Sequence, residues 1–161
     1  MARNRFPIIS AGILMGAGLG GFADGIVLHQ ILQWHNMMSA QIPPNDLVSA
    51  KVNMYWDGIF HAGVWLLTVI GLLFLWSAGR KRDVPWSGRT FIGSMLMGWG
   101  LFNLIEGAID HQYLGIHHVY EYAENKLIFD VAFLLFGAIL LILGWFLMQS
   151  GKYDRASRTS F

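Results

Sequence analysis

Residues 131–148 read VAFLLFGAILLILGWFLM, an unbroken run without one ionisable side chain. Residues 62–78, AGVWLLTVIGLLFLWSA, form a second such run. A helix rises about 1.5 Å per residue, so roughly 20 apolar residues cross the hydrocarbon core of a bilayer. Neither run carries the regularly spaced polar positions by which a soluble helix faces water. Outward from these two, further apolar stretches complete a set of four spans, expected at about 7–34, 54–78, 90–114 and 127–149. Breakers separate them: Pro43-Pro44-Asn45-Asp46, then 79–88 with Pro85, then 117–125. The expected fold is an all-α integral membrane protein, one transmembrane domain over residues 1–161 forming a four-helix bundle. Composition agrees: 55% of residues are hydrophobic and 13% charged, against roughly 25% charged in soluble domains. The N-terminal apolar run is too long for the core of a signal peptide and reads as the first span.

Charge sets the expected orientation. Arg3, Arg5, Arg80, Lys81, Arg82, Arg89, Lys152, Arg155 and Arg158 flank the termini and the second loop, whereas only Lys51 and Lys126 flank the first and third loops. Basic residues concentrate on the cytoplasmic side of short loops, so both termini are expected in the cytoplasm, in a multi-pass protein of the cytoplasmic (inner) membrane. These short basic clusters lack a nucleic-acid-binding pattern, and nucleic acid is excluded as a partner. The chain has no cysteine, which removes disulfides, thiolate metal sites and thioether-linked haem.

Shifted by 82 residues, the first span falls on the third. LMGAGL at 14–19 meets LMGWGL at 96–101, Asp24-Gly25 meets Glu106-Gly107, His29-Gln30 meets His111-Gln112, and His35 meets His117; ten of the 22 positions from 14 to 35 are identical. Apolar composition alone does not put an acid, a His-Gln pair and a second histidine in register. Spans two and four match more weakly, through Asp57 and Asp130. The bundle is therefore expected as two parallel-repeat helical hairpins related by an axis near the membrane normal. Gly12, Gly16 and Gly20 have the small-xxx-small spacing of close helix packing.

Five acids lie inside spans, Asp24, Asp57, Glu106, Asp110 and Asp130, and all six histidines lie toward the outer ends. Charged side chains deep in a bilayer each cost about 2.5–3.5 kcal/mol on insertion scales. The acids must converge, be protonated or neutralise a cation. Asp57 and His61, and Glu106 and Asp110, are four apart and share a helix face. The expected metal ligands are Asp24, His29, Asp57, His61, Glu106, Asp110, His111 and Asp130, with His35, His117 and His118 as additional ones. An ideal helix sets His29 about 140° from Asp24, so His29 either addresses a neighbouring helix or needs a local distortion at Gly25. Asp110 and His118 have no counterpart in the first repeat, where Leu28 and Asn36 stand.

The motifs GFADGIVLHQ (21–30) with Trp34-His35, WDGIFH (56–61), and GWGLFN (98–103) through Glu106-Gly107 to His117-His118-Val119 resemble a bacterial family of four-span membrane proteins of unknown function. The resemblance covers nearly the whole chain. By the genomic company of that family, it implies a link to respiratory-oxidase assembly proteins, and thereby copper or haem handling.

Four chemistries stand open at this point. One is a metal site of carboxylate and imidazole ligands, suited to zinc, iron or manganese, in a redox or hydrolytic membrane enzyme. Another is copper handling, with Met37, Met38 and Met54 beside His35. A third is b-type haem between His29 and His111, and the fourth a proton or cation pathway. The lipid bilayer, a second copy of the chain and oxidase-assembly proteins are the expected partners. Single cysteines test the orientation: Asp83→Cys is expected to label only from the cytoplasm, Pro43→Cys and Glu121→Cys only from outside, and periplasmic labelling at position 83 would overturn it.

Overall fold

The computed structural model describes residues 4–154. Helix α1 spans Phe6–Ala23 and continues as a π-helix over Asp24–Ile31. Helix α2 spans Leu47–Gly79. Helix α3, Gly88–Glu106, continues as a second π-helix over Gly107–Tyr113, and α4 spans Lys126–Ser150. All four are long and apolar enough to cross a membrane.

The ends of these helices follow from local chemistry. Pro7 sits in the first turn of α1, where its missing N–H loses no bond. Asp46 accepts from the Val48 and Ser49 amides while the Asp46 amide donates to the Ser49 hydroxyl, a reciprocal cap. That cap starts α2 at Leu47, seven residues before the expected 54. Residues 47–53, with Lys51 and Asn53, are too polar to stand out as part of a span, and the cap decides instead. Ser87 caps α3 through the Thr90 amide.

The bundle is built around one close pair. α1 packs on α3, α2 lies against α1, and α4 lies against α3, with no direct packing of α2 on α4. Glycines set the central contact. A Cβ at Gly98 would overlap the Ile13 carbonyl, one at Gly16 the Met95 carbonyl, and one at Gly12 the Ser94 side chain. Gly18 receives Thr68 and Val64 of α2, and its repeat mate Gly100 receives Gly137 and Leu141 of α4. The expected small-xxx-small packing is thus the α1–α3 seam. Outward, Leu73, Trp65, Leu135 and Phe146 are exposed, as the lipid-facing side of a span is.

The N-terminus, the α2–α3 loop and the end of α4 meet at one end of the bundle. The Asn4 amide donates to the Asp83 carbonyl, Arg5 donates to Thr90 Oγ1 and the Met148 carbonyl, and Ser87 donates to Asp154. Arg5, Arg80, Lys81, Arg82, Arg89 and Lys152 belong to this end; Arg3, Arg155 and Arg158 lie outside the described residues. At the other end the loops after the two π-helices clasp each other, through Ala40 N–H to Ile116 O and Glu121 N–H to Trp34 O, both at 3.0 Å.

The duplication is visible in detail. Both π-helices end in a left-handed residue at matched positions, Gln33 (φ 51°) and Gly115 (φ 56°). In each copy the next amide turns back into the helix, Trp34 N–H to Leu28 O and Ile116 N–H to Asp110 O. Gly98→Ala is expected to force α1 and α3 apart and lower stability by about 1–3 kcal/mol. Gly58→Ala, where a Cβ meets nothing within 4 Å, should be neutral or stabilising by up to about 1 kcal/mol. Thermal unfolding in detergent distinguishes the two, and equal effects would show that the seam does not depend on glycine.

Candidate metal centre

Five-residue spacing is the key to the site. In a π-helix the backbone bonds run from i to i+5, so residues five apart stack on one face, as residues four apart do in an α-helix. The π-helix beginning at Asp24 therefore brings His29 back over Asp24, with Nε2 3.2 Å from Oδ2. The same turn in the second copy sets His111 Nε2 3.0 Å from Glu106 Oε1. Both options left open for His29 hold together, because its other nitrogen reaches a neighbouring helix, with Nδ1 3.0 Å from Asp57 Oδ1. Gly25 serves a different purpose: a Cβ there would strike His61.

Two more histidines arrive from the clasped loops. On a continuous helix His35 would stand about 16 Å along the axis from Asp24. The chain instead leaves the helix after Ile31 and folds back, so that His35 Nε2 lies 4.0 Å from Asp24 Oδ2. His117 Nε2 lies 2.9 Å from Glu106 Oε1. The His35 and His117 rings stack at 4.5 Å with 5° between planes, and His29 and His111 stand edge-on to them at 4.4 and 4.8 Å. All six residues are at least 94% buried. Two sets of ligand atoms, from His29, His35 and His117 and from Glu106, His111 and His117, each fall within 4.8 Å of one another.

The outer nitrogens show which way the lone pairs face. His35 Nδ1 lies 2.8 Å from the Val119 carbonyl and His117 Nδ1 lies 3.2 Å from the Met37 carbonyl, at positions matched by the repeat. A carbonyl only accepts, so the His35 Nδ1 carries the proton and its neutral ring presents an Nε2 lone pair to the interior, whereas His117 has an acceptor at each nitrogen, the Met37 carbonyl and Glu106 Oε1. Burial, with the neighbouring His117 and His29 rings, holds His35 well below the ordinary imidazole range and keeps it neutral. Asp57 is the outer hydrogen-bond partner of His29, 3.0 Å from its Nδ1, whereas Asp130 stands 3.6 Å from His111 Nδ1, beyond hydrogen-bond distance. Both acids are anchored: Asp57 accepts from the Met37 amide and Asn36, and Asp130 from the Val119 amide and His118. Gln30 and Gln112 add matched longer contacts at 3.4 Å.

The expected ligands thus divide. Asp24, His29, Glu106 and His111 point into the cluster, joined by His35 and His117. Asp57 and Asp130 stand behind it, orienting imidazoles, and His118 sits on the outer side of Asp130 with its side chain 29% exposed. His61 and Asp110 are not brought in. His61 turns its Nδ1 to the Asp57 carbonyl of its own helix at 2.7 Å, and Asp110 is half-buried on another face. Met37 is held through its backbone, as is Met38, whose amide donates to Asn53. Asn36, Gln30 and Gln112 were not singled out as functional from the sequence; Gln30 and Gln112, identical in the repeat, carried the signal.

Can these residues hold a metal? Asp24 Oδ2, Glu106 Oε2 and the Nε2 atoms of His29, His35 and His111 are buried without a hydrogen-bond partner among the described residues. The short His29–Asp24 and His111–Glu106 approaches lack hydrogen-bond alignment, because the donors aim at a common interior. Neighbouring ligands of a metal bound at about 2.0–2.2 Å lie roughly 3–3.4 Å apart. Imidazoles with carboxylate or carbonyl partners on the outer nitrogen are the usual second shell of such sites. The residues fit a metal ion.

Fold and site together define a polytopic membrane protein with a buried histidine–carboxylate cluster capable of metal coordination. Residues 11–151 match the family of predicted membrane proteins DUF2243, and the chain belongs to that family. No curated protein and no solved structure matches it significantly.

The tautomers can be observed directly. Nitrogen NMR of histidine-labelled protein is expected to show His35 protonated at Nδ1 and bare at Nε2. An Nε2–H signal from His35 would break the assignment to the Val119 carbonyl.

Proposed function

We propose that the protein is a redox-active membrane metalloprotein. It holds one or two divalent first-row ions with ligands drawn from Nε2 of His29, His35, His111 and His117 and the carboxylates of Asp24 and Glu106, in the outer half of the bacterial cytoplasmic membrane. The observation that supports this most strongly is the set of partnerless, inward-aimed nitrogens and oxygens at the seam of the repeat. One oxygen of each of two carboxylates, Asp24 Oδ2 and Glu106 Oε2, lacks a donor, and a divalent cation balances the pair. Proton sharing is the competing source of charge, with His29 between Asp24 and Asp57 and His111 between Glu106 and Asp130 as the rings that would carry it.

The donor set narrows the chemistry. Imidazoles and carboxylates without sulfur suit iron or manganese. All six residues are at least 94% buried, which keeps bulk water away and disfavours hydrolysis. Met37 and Met38, engaged through their backbones, give no support to a thioether copper site. Four imidazoles packed ring against ring leave no slot for a haem macrocycle. Residues 62–78 and 131–148 contain no ionisable group, so an ion pathway lacks a route through the other half. When bound, the ion supplies one-electron redox chemistry. The chain supplies ligands from both repeats, excludes water, and fixes ring orientation through Asp57 and Asp130.

Elemental analysis of protein purified without chelator is expected to find at least one iron or manganese per chain. His35→Ala and His117→Ala should each remove most of it while the bundle stays inserted, and His61→Ala should retain it. Wild-type protein that carries no stoichiometric metal and binds none on titration would show the cluster to be neutralised by protons.

A further inference from the structure

Because α2 does not pack on α3, nor α4 on α1, a crevice runs along each side of the central pair. The two are related by the repeat. One, between α1 and α4, reaches Asp24 past Ala23, Val27, Leu28 and Phe133. The other, between α2 and α3 with a volume of about 390 Å³, reaches Glu106 past Ile105, Ile109, Asp110 and Phe60. These line up pair by pair, Ala23 with Ile105, Asp24 with Glu106, Val27 with Ile109 and Phe133 with Phe60. The chemistry changes where Leu28 faces Asp110, and the wall changes where Gly20 faces Phe102.

Asp110 is a carboxylate within a membrane span, half-buried, and its side chain accepts no hydrogen bond from any described residue. Beside it Glu106, 6% exposed, lines the same crevice and keeps Oε2 without a partner. Ile105 and Ile109, 57% and 45% exposed, open the crevice toward lipid. A carboxylate in such a place needs a donor, and because its crevice opens toward lipid, a hydroxyl on a molecule that dissolves in the bilayer can supply it. The walls say more. Phe60 and Phe102 flank the crevice with ring centroids 6.0 Å apart, a surface suited to an aromatic ring. Phe60 also stacks on His29, at 5.5 Å and 12°, so a ring held against Phe60 lies one side chain from the cluster.

We propose that the α2–α3 crevice binds a lipid-soluble hydroquinone, its ring against Phe60 and Phe102, a hydroxyl donating to Asp110 and its tail leaving toward lipid past Ile105 and Ile109. The matching crevice, with Leu28 in place of Asp110, lacks the acceptor and does not bind it. In purpose, though not in binding, this ligand depends on the redox centre proposed above.

Equilibrium binding of radiolabelled decyl-benzohydroquinone to the full chain in phosphatidylcholine nanodiscs, kept anaerobic, tests this. Wild-type protein should bind saturably, one molecule per chain. Asp110→Leu, which copies the other crevice, should weaken binding at least ten-fold with metal content unchanged. Ile109→Trp, which fills the crevice from a lipid-facing position, should do the same. Absence of saturable binding, or wild-type affinity in either variant, would overturn the proposal and leave an acyl chain of the surrounding lipid as the occupant. Metal-free protein that still binds the hydroquinone through Asp110 would refute the metal centre alone.

Discussion

Carboxylates in hydrocarbon are the constraint on which the rest of this structure depends. Five of them lie within the spans, and at about 2.5–3.5 kcal/mol each their combined insertion cost is roughly 12–18 kcal/mol. That rivals the whole net stability of a typical domain, about 5–15 kcal/mol. The fold answers it unevenly. Asp57 and Asp130 receive backbone amides and side-chain donors from the clasped loops and are satisfied within the protein. Asp24 and Glu106 keep buried oxygens with no donor. What is left uncompensated is thus one oxygen on each of two carboxylates at the seam of the repeat, ringed by four imidazoles.

Two backbone departures make that ring possible, and both occur in each copy. The π-helix converts a five-residue spacing, which an α-helix would scatter, into a shared face for Asp24 with His29 and Glu106 with His111. The left-handed residue after it stops the helix and returns the chain, so that His35 and His117 come down onto the cluster from above. π-helical turns are rare and concentrate at functional sites. Each returning loop also supplies the carbonyl that fixes the other copy's histidine, Val119 for His35 and Met37 for His117. The halves therefore cannot separate without releasing two ligands. Ligand geometry and the outer clasp are one structure, and the glycine seam below sets the distance at which they meet.

Much of this was legible in the sequence. Runs such as 131–148 give the spans, and the register of Asp24, His29 and His35 against Glu106, His111 and His117 marks the cluster. What was not legible has a physical cause in each case. α2 began early because the Asp46–Ser49 cap is a local exchange of hydrogen bonds that hydropathy does not register. His35 and His117 stood as secondary ligands because a straight helix carries them away, and nothing in the composition of 24–31 announces a π-turn. Asp57 with His61, and Glu106 with Asp110, share faces at the spacing of four that an α-helix favours. Yet His61 faces Gly25 and Asp110 faces the crevice, since a helical face has width and only its centre meets the neighbouring helix. Gln33 in a left-handed conformation was invisible until its mate Gly115 supplied the comparison.

A duplicated protein that had kept both halves alike would offer the same access to its centre from both sides. This one has not. Where the copies agree, at the two acids, the four imidazoles and their outer acceptors, agreement is required because one enclosed site is built from both. Where they differ, at Leu28 against Asp110 and Asn36 against His118, the change falls outside the ligand shell and on the surfaces that lead to it. Asp110 and His118 belong to the second copy, one on the crevice toward lipid and one beside Asp130, while His61 belongs to the first, where the second has Leu134. Neither Asp110 nor His118 repairs a packing defect, since the first copy folds with leucine and asparagine in those places, and an acid on a lipid-facing wall raises the cost of insertion. Symmetry therefore describes the cluster, and its breaking, at Asp110, His118 and His61, falls on the residues around it.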